Sequence, residues 1–309
     1  MGGLVVSLPD DAGLAAAVGE VAGVEFVQWN LDGPPPSPHI DMVVPPYWGG
    51  PRRLARVAEV STQLVQWQSI GYNGVDKHLP EGVPLANAAT VHEAGTAELA
   101  VALTLAMQRG ITEFVRENDA RVWHLRTFAS LADRRVLLVG YGGVSKAIEA
   151  RLAGFEVQVT RIARSARTER NLAGAEVEVL GFADLHAALA AAEIVMIAVP
   201  LTVETRGMFD AAALAAMPDG ALLVNVARGQ VVDTEALMAE LNAGRLRAAL
   251  DVTDPEPLPA EHPLWACPNL LISPHVGGDS TAMMPRMSAL IRRQIAHLLA
   301  GESPENVVL

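Results

Sequence analysis

Residues 136–148 read Val-Leu-Leu-Val-Gly-Tyr-Gly-Gly-Val-Ser-Lys-Ala-Ile, an apolar run followed by a glycine-rich turn and the start of a helical pattern. An unbroken apolar run of this kind predicts a parallel strand buried on both faces. Gly140 allows a tight turn, Gly142 lets the backbone approach a pyrophosphate, and the following helix presents free N–H groups. The third position of this fingerprint is Ser145 rather than glycine, and serine is small enough to strain the packing only slightly. We predict a dinucleotide site here, with an ordinary tight turn as the alternative.

Short apolar runs alternate with longer Ala- and Leu-rich stretches through most of the chain. Ile194–Val199 is another apolar run of the buried type, and Glu156–Thr160 is a candidate strand after the glycine-rich turn and its helix. Regular alternation implies right-handed crossovers and parallel sheets. One block covers residues 1–90 and another begins near residue 130, with a helical stretch at 94–121 between them. We therefore predict an α/β fold of two Rossmann-like or flavodoxin-like lobes with parallel sheets.

The composition is that of a globular chain with a large core. Of the 309 residues, 50% are hydrophobic and 19% are charged, and this length predicts about two domains. With 23 Lys and Arg against 35 Asp and Glu, the net charge is −12, which argues against a nucleic-acid partner. No apolar run reaches the ~18 residues of a membrane span. The first residues carry no basic segment ahead of an apolar one, so we expect a cytoplasmic protein.

Neither a disulfide nor a metal site is expected from the sequence. Cys267 is the only cysteine, so an intrachain disulfide and a thiolate cluster are both excluded. The stretch from His92 to Thr96 lacks the second histidine that a zinc-binding helix needs.

Arginines take the place of an expected acid after the glycine-rich turn. An NAD site normally has an acidic residue about 20 residues further on, which binds the ribose 2′-hydroxyl. This chain instead has Arg161, with Arg164 and Arg167 close behind. Guanidinium groups match the geometry and charge of phosphate, so NADP(H) is the preferred cofactor and NAD(H) the second candidate. A solvated loop with unrelated arginines is the alternative.

Polar residues follow three apolar runs in the C-terminal half. Arg228 ends the run that begins at Leu222, Glu256 lies in the acidic loop after residues 248–252, and His275 follows residues 271–274. In an open parallel sheet, ligands bind beyond the carboxyl ends of the strands. We therefore expect the three side chains to converge on one crevice, although each taken alone also suits a plain strand end or a solvated loop.

These residues resemble the D-isomer-specific 2-hydroxyacid dehydrogenase family. The resemblance covers most of residues 91–278, and the matching segments occur in the family's order. They are the glycine-rich turn, Val199-Pro-Leu-Thr-Val-Glu-Thr-Arg-Gly, Asn225-Val-Ala-Arg-Gly-Gln-Val-Val-Asp, Leu250-Asp-Val, Glu256-Pro-Leu-Pro and Ser273-Pro-His. The N-terminal lobe is similar more loosely, through Gln68-Ser-Ile-Gly-Tyr-Asn-Gly-Val-Asp.

The resemblance implies a catalytic set of Arg228, Glu256 and His275. His275 would be the general acid that protonates the substrate carbonyl oxygen during hydride transfer, since imidazole exchanges protons near neutral pH. Glu256 would orient His275 and favour its protonated form, and Arg228 would bind the substrate carboxylate in a bidentate way. The backbone at Ile70 and Gly71 would hold the other side of that carboxylate.

The resemblance also implies the cofactor contacts and the domain limits. Asp251 would contact the nicotinamide carboxamide. The implied cofactor-binding residues are Gly140, Gly142, Gly143, Val144, Arg161, Arg164, Val199, Pro200, Thr205, Val226, Ala227, Asp251, His275 and Gly277. Residues 1–91 with 282–309 would form the substrate-binding domain and residues 92–281 the dinucleotide-binding Rossmann domain, with the active site in the interdomain cleft.

The implied activity is reduction of a small 2-oxo acid by NADPH, with glyoxylate or hydroxypyruvate as the substrate type. The family implies a homodimer, and the helical stretch 94–121 with Trp123 is the candidate dimer surface. A formate- or phosphonate-type dehydrogenase on the same scaffold is one alternative. A non-catalytic, dinucleotide-sensing corepressor-like protein is another, although the sequence contains no tail or partner-binding segment of the kind such a protein needs.

Overall fold

The computed structural model describes residues 3–10 and 13–309. The chain divides into two compact units: the first is the segment up to His92 together with Asp279–Leu309, and the second is Glu93–Gly278. The sequence predicts these limits at residues 91/92 and 281/282, which differ from the observed limits by one and three positions. In the described part of the chain, no helix is both long and apolar enough to cross a membrane.

Thirteen strands lie in the described residues, and most of them are short and apolar. They are β1 (Leu4–Leu8), β2 (Val24–Gln28), β3 (Met42–Val43), β4 (Leu64–Gln66), β5 (Leu85–Ala86), β6 (Arg135–Val139), β7 (Gln158–Ala163), β8 (Arg167–Arg170), β9 (Glu176–Gly181), β10 (Ile194–Ile197), β11 (Leu222–Asn225), β12 (Arg247–Leu250) and β13 (Leu270–Ile272).

Eight α-helices connect these strands in the described residues. They are α1 (Leu14–Val18), α2 (Glu93–Gln108), α3 (Ile111–Ala120), α4 (Gly143–Leu152), α5 (Leu185–Ala191), α6 (Ala211–Ala216), α7 (Thr234–Asn242) and α8 (Met283–Ala300). The predicted helical stretch 94–121 is two helices, because Gly110 adopts a left-handed conformation (φ 65°) that ends α2 and precedes α3.

The first unit is built on a five-stranded sheet in the order β2-β1-β3-β4-β5, and all its pairings are parallel. Successive residues of a strand point to opposite faces, so each face acquires its own apolar core. On one face, Val6 and Met42 pack with α1 and with the apolar stripe of α8. On the other face, Val43 and Val65 pack with the 3₁₀ helix Pro51–Glu59.

The second unit is built on an eight-stranded sheet in the order β13-β12-β11-β10-β6-β7-β9-β8. All its pairings are parallel except the antiparallel β8–β9 hairpin at one edge. Leu137 and Val195 face a core that contains α5, α6 and α7, whereas Leu138 and Met196 face α2 and α4. These two layers of helices on a parallel sheet confirm the predicted α/β fold.

The strand order places a topological switch point beside the glycine-rich turn. From β6 the chain builds β7 and β9 on one side and then returns to build β10 to β13 on the other. Connections therefore leave the carboxyl ends of β6 and β10 in opposite directions, which opens a crevice between them. Ligands of open α/β sheets bind in such a crevice.

Candidate active site

The turn from β6 to α4 combines two tightly packed glycines with one that faces open space. Gly140 has φ 89°, and a Cβ there would lie 2.7 Å from the Ala198 carbonyl oxygen. A Cβ on Gly143 would lie 2.9 Å from Cγ of Glu93. A Cβ on Gly142 would meet nothing within 4 Å, so this backbone is accessible to a ligand group.

Among the described residues, no side chain caps the backbone N–H groups in the first turn of α4, whereas a side chain caps those of α6 and of α7. Asp210 caps α6 by accepting from Ala213 N (2.9 Å), and Asp233 caps α7 by accepting from Ala236 N (3.0 Å). The N-cap of α4 is Gly142, which provides no side-chain acceptor, and Val144 follows in the first turn. An uncapped helix N-terminus with an open glycine in front of it fits the pyrophosphate of a dinucleotide.

Ser145, the departure from the fingerprint, is tolerated inside the fold. Its residue is fully buried, and its hydroxyl has no hydrogen-bond partner among the described residues. Serine therefore fits sterically at this position while leaving one polar atom unsatisfied, which costs free energy.

The arginines after α4 do not form one cluster. Strand β7 runs three residues beyond its predicted end, so Arg161 lies inside the strand, where it pairs with Glu149 of α4 (Nη2–Oε1 2.5 Å). The Arg161 guanidinium is thus already engaged by a carboxylate, whereas the sequence predicts it as a ligand of the cofactor phosphate. Arg164 follows the end of β7 with a 68% exposed side chain, 4.0 Å from Glu204. Arg167 begins β8 and donates to the Tyr141 carbonyl oxygen at 3.2 Å.

The segment after β10 forms a compact turn around Thr205. Val199 is buried, and Pro200 lies exposed beside it. The Thr205 hydroxyl donates to the Pro200 carbonyl oxygen (2.5 Å) and accepts from Thr202 N (2.8 Å). These bonds fix the turn at the carboxyl end of β10. Gly140 follows the carboxyl end of the parallel neighbour β6, so both lie at the same edge of the sheet.

The segment after β11 is held by Asn225. The Asn225 amide accepts from Ala227 N at 3.0 Å and donates to the Arg228 carbonyl oxygen at 3.0 Å, with Val226 and Ala227 buried between them. The Arg228 guanidinium donates to the Ala227 carbonyl oxygen at 2.6 Å. Gly229 is required here, because a Cβ would lie 2.0 Å from the Thr253 carbonyl oxygen.

His275 and Glu256 form a pair beyond the adjacent strands β13 and β12. Nδ1 of His275 lies 2.5 Å from Oε1 of Glu256, and both side chains are about two-fifths exposed, at 42% and 39%. Burial raises the pKa of the Glu256 carboxyl, but the hydrogen bond from His275, a backbone hydrogen bond from Thr253 and the charge of Arg228 outweigh it. The pKa of Glu256 therefore lies below its ordinary value.

Asp251 holds the loop that carries His275. Its Oδ1 accepts from the Ser273 hydroxyl (2.6 Å) and from Val276 N (3.0 Å), and its Oδ2 accepts from Gly277 N (2.9 Å). The His275 N–H donates to the Asp251 carbonyl oxygen at 2.8 Å. These contacts fix His275 in a left-handed conformation (φ 55°) that a non-glycine residue seldom adopts.

Ile70 and Gly71 belong to the first unit, in the segment after β4. The Ile70 carbonyl oxygen accepts from Asn87 Nδ2 (2.9 Å), and the Gly71 carbonyl oxygen accepts from Trp67 Nε1 (3.1 Å). Since a trans peptide points its N–H opposite to its C=O, the N–H groups of Gly71 and Tyr72 point away from Asn87 and Trp67.

Comparisons with known proteins give the family. The model described as "D-isomer specific 2-hydroxyacid dehydrogenase, NAD binding domain" matches residues 101–277. The chain belongs to the D-isomer specific 2-hydroxyacid dehydrogenase family. It is 32% identical over 262 residues to a glyoxylate reductase of Thermofilum pendens, covering 81% of this chain and 76% of that protein. It is 30% identical over 304 residues to a glyoxylate reductase/hydroxypyruvate reductase of Mus musculus, covering 93% and 92%.

A solved member of the family has the same fold. The D-isomer specific 2-hydroxyacid dehydrogenase from Xanthobacter autotrophicus Py2, in complex with NADPH and MES, superposes with a TM-score of 0.79 at 30% identity and covers 100% of this chain and 98% of that chain. This 2-hydroxyacid dehydrogenase is therefore an oxidoreductase that acts on a small molecule with a nicotinamide dinucleotide cofactor. In its described residues, no group of three or more His, Cys, Asp or Glu side chains is placed to hold a metal ion.

Sequence reasoning assigned no role to two residues that shape the site of this dehydrogenase. Glu149 is buried on α4 and binds Arg161, and Ser273 binds Asp251. A signal for Glu149 was present, because a glutamate stands between the apolar residues Ile148 and Leu152 on a helix that packs on the sheet. An acid at such a position requires a buried partner.

Proposed function

We propose that this dehydrogenase reduces a small 2-oxo acid of the glyoxylate or hydroxypyruvate type to the D-2-hydroxy acid, with NADPH as the preferred cofactor. The observation that carries the proposal is the His275–Glu256 pair (2.5 Å) at neighbouring strand ends, with Arg228 at the end of the next strand. The names of the relatives from Thermofilum pendens and Mus musculus support the substrate type.

His275 is the proton donor in this reaction. Because Nδ1 is bound to Glu256, Nε2 is the ring nitrogen left to protonate the substrate carbonyl oxygen. When bound, the reduced nicotinamide supplies the hydride to the carbonyl carbon, so that the ketone becomes an alcohol. Glu256 remains a carboxylate, since its pKa is lowered, and stabilises the imidazolium from which the proton leaves.

Arg228 binds the substrate carboxylate and draws electron density from the adjacent carbonyl. In the first unit, the backbone at Ile70 and Gly71 stays a predicted carboxylate-binding segment, and its carbonyl oxygens are held by Asn87 and Trp67. On the cofactor side, the turn at residues 140–144 would take the pyrophosphate and Asp251 would contact the nicotinamide carboxamide. The other proposed cofactor-binding residues after the strands are Val199, Pro200, Thr205, Val226, Ala227 and Gly277.

Replacement of His275 tests the reaction. His275→Ala should lower kcat by roughly 10²–10⁴-fold, the contribution of a general acid, while the dissociation constant for NADPH stays within about twofold. His297→Ala is the matched control, since His297 forms the same kind of pair with Glu302 (3.0 Å) at an exposed site of the first unit. Full activity of His275→Ala would remove His275 from the mechanism.

A substrate panel separates the alternatives. We expect NADPH oxidation with glyoxylate or hydroxypyruvate. NADP⁺ reduction with formate or a phosphonate, and none of the expected turnover, would replace the substrate proposal by the other dehydrogenase type. Absence of turnover with every compound, together with tight dinucleotide binding, would favour the corepressor-like alternative.

NADPH preference is assigned to Arg164 and Arg167, which follow β7 where a ribose 2′-phosphate would lie. A charge-assisted contact contributes about 1.5–3 kcal/mol, so Arg164→Ala should lower kcat/KM for NADPH by roughly tenfold or more. The value for NADH should change little. Arg170→Ala is the control, because Arg170 lies on β8 with Arg167 and donates to the Gly174 carbonyl oxygen (2.7 Å). Equal loss with both cofactors would contradict the assignment.

A homodimer belongs to the same proposal. None of the residues of α3 is buried, and the segment after it exposes Val122, Trp123 and Leu125, with Trp123 90% accessible. Large apolar side chains in one continuous stretch favour a protein partner, and we assign a second copy of this chain to it. Trp123→Asp should then convert the dimer to monomer in sedimentation experiments, whereas a monomeric wild type would contradict the proposal.

A further inference from the structure

One buried carboxylate of the second unit collects donors from three separate elements. Glu149 is the seventh residue of α4, and its side chain is 9% exposed. It accepts from Nε (3.0 Å) and Nη2 (2.5 Å) of Arg161 on β7, from the Tyr141 hydroxyl in the glycine-rich turn, and from Nδ2 of Asn171 (3.0 Å) in the β8–β9 turn. We call Tyr141, Glu149, Arg161 and Asn171 the Glu149 network.

The charge states within the Glu149 network are fixed by burial and by mutual hydrogen bonds. Burial raises the pKa of Glu149, but the hydrogen bonds from Arg161, Tyr141 and Asn171 lower it by more. The pKa of Glu149 therefore lies below its ordinary value, and the side chain is a carboxylate. Burial and the neighbouring Glu149 raise the pKa of Tyr141 to about 12, so its hydroxyl is a donor. The Glu149 carboxylate thus has all its acceptor positions occupied by donors, and a fully satisfied buried network is rigid.

The network also holds the β8–β9 hairpin to the glycine-rich turn. Asn171 shapes the hairpin turn, because its Oδ1 accepts from Ala173 N and Ala175 N at 3.0 Å each, while its amide donates to Glu149. At the other end of β8, Arg167 donates to the Tyr141 carbonyl oxygen (3.2 Å). The hairpin is therefore attached to the turn through Tyr141 and to α4 through Glu149.

The cations around Tyr141 strengthen this attachment. Arg161 and Lys146 lie over the Tyr141 ring at 5.9 and 5.7 Å from its centroid. Glu169 of β8 binds Lys146 of α4 at 3.0 Å and Arg167 at 2.8 Å. These contacts place Tyr141 between two positive charges and tie β8 to the first turns of α4.

We propose that the Glu149 network is a positioning device for NADPH recognition, which holds Arg164 and Arg167 in register with the pyrophosphate-binding turn. In the sequence, Arg164 lies midway between Arg161 and Arg167. Arg161 is held by Glu149, and Arg167 is held by the Tyr141 carbonyl oxygen. Arg161 is a positioning residue and touches no phosphate. Because a charge-assisted hydrogen bond depends steeply on geometry, displacement of these arginines weakens 2′-phosphate binding and leaves NADH binding unaffected. This inference rests on the proposed NADPH preference.

Binding of adenosine 2′,5′-bisphosphate and of AMP, measured by calorimetry, tests the inference without turnover. Glu149→Gln keeps the size of the side chain and removes the charge that holds Arg161. We expect its dissociation constant for the bisphosphate to rise about tenfold and that for AMP to stay within about twofold. In steady-state kinetics, KM for NADPH should rise with kcat little changed. Glu98→Gln is the control, because Glu98 pairs with Arg151 of the same helix α4 (3.0 Å) at an exposed site.

The outcomes separate this inference from the proposed function. Wild-type protein that binds the two nucleotides equally would overturn the NADPH assignment and the positioning role together. A wild-type preference that Glu149→Gln leaves intact, or an equal loss for both nucleotides, would overturn the positioning role alone. If Glu149→Gln does not fold, Tyr141→Phe removes a single donor, and a smaller loss confined to the bisphosphate is expected; an unchanged ratio would again overturn the inference.

Discussion

Asp251 uses both carboxylate oxygens to shape the loop that carries His275. Three donors from residues 273–277 reach it within 3.0 Å, and the residue is 2% exposed. The resemblance assigns this aspartate a contact with the nicotinamide. The structure adds a second task, because the left-handed backbone of His275 depends on the same carboxylate. A residue that orients the general acid affects kcat even when it does not touch the substrate.

Asp251→Asn tests this role at the residue scale. An amide supplies one acceptor oxygen where the loop needs two, so a donor is left unpaired in a buried site. We expect the free energy of unfolding to fall by about 1–3 kcal/mol and kcat to fall with it. Ser273→Ala, which removes one donor, should have a smaller effect in the same denaturation and kinetic measurements. An unchanged kcat in Asp251→Asn would show that the loop is held by other contacts.

At the scale of the element, the β6–α4 turn separates structural glycines from an accessible one. Gly140 has a positive φ and no space for a Cβ, whereas Gly142 has an extended backbone (φ −103°) and open space. The two positions are therefore required for different reasons. Gly140 is required by the fold, whereas Gly142 is required by the ligand that the uncapped helix N-terminus suits.

Alanine should lower protein stability at Gly140 but dinucleotide affinity at Gly142. Gly140→Ala should destabilise the protein by roughly 1–3 kcal/mol, because of strain at positive φ and contact with Ala198. Gly142→Ala should leave the melting temperature unchanged and weaken dinucleotide binding, since its methyl group occupies the open space. Thermal unfolding and calorimetric titration with NADP⁺ measure both quantities. A Gly142→Ala protein with wild-type affinity would place the pyrophosphate elsewhere.

Across the whole molecule, each unit contains a carboxylate whose ionised form is stabilised by folding. In the first unit, burial raises the pKa of Asp41, but Val5 N (2.8 Å), His39 and Gln63 donate to it and hold the pKa below its ordinary value. In the second unit, the Arg161 pair lowers the pKa of Glu149 in the same way. A lowered folded-state pKa stabilises the protein above the unfolded-state pKa of about 4, and this stabilisation is lost as pH falls through the folded-state value.

Because Asp41 and Glu149 have lowered pKa values, we expect both units to lose stability in acid. The melting temperature should be constant near neutral pH and fall below about pH 4. Asp41→Asn should lower the melting temperature at pH 7, and its deficit relative to wild type should shrink as the pH is lowered. Asp32→Asn, at an exposed aspartate, should match wild type at every pH. A deficit for Asp41→Asn that does not change with pH would assign the effect to packing rather than to charge.

Local patterns in the sequence account for the central elements of the second unit. Apolar runs predicted strands from Val136 and just before His275, where the structure has β6 and β13, and the glycine-rich turn lies where the fingerprint placed it. These features are local, because a buried strand and a turn with positive φ constrain their own residues directly. The hairpin β8–β9 was missed, although Glu176-Val-Glu-Val has the alternation of a half-buried strand.

The sequence by itself determined the α/β class, the family, and the carboxyl-end positions of Arg228, Glu256 and His275. Only the tertiary structure decided which charged groups meet. Arg161 and Glu149 are twelve residues apart, and Asp251 and Gly277 are twenty-six apart. Hydrophobic periodicity reports which face of an element is buried, but it carries no information on the partner across that face. The sequence therefore predicts Arg161 as a phosphate ligand, and only the fold shows that it pairs with a buried carboxylate.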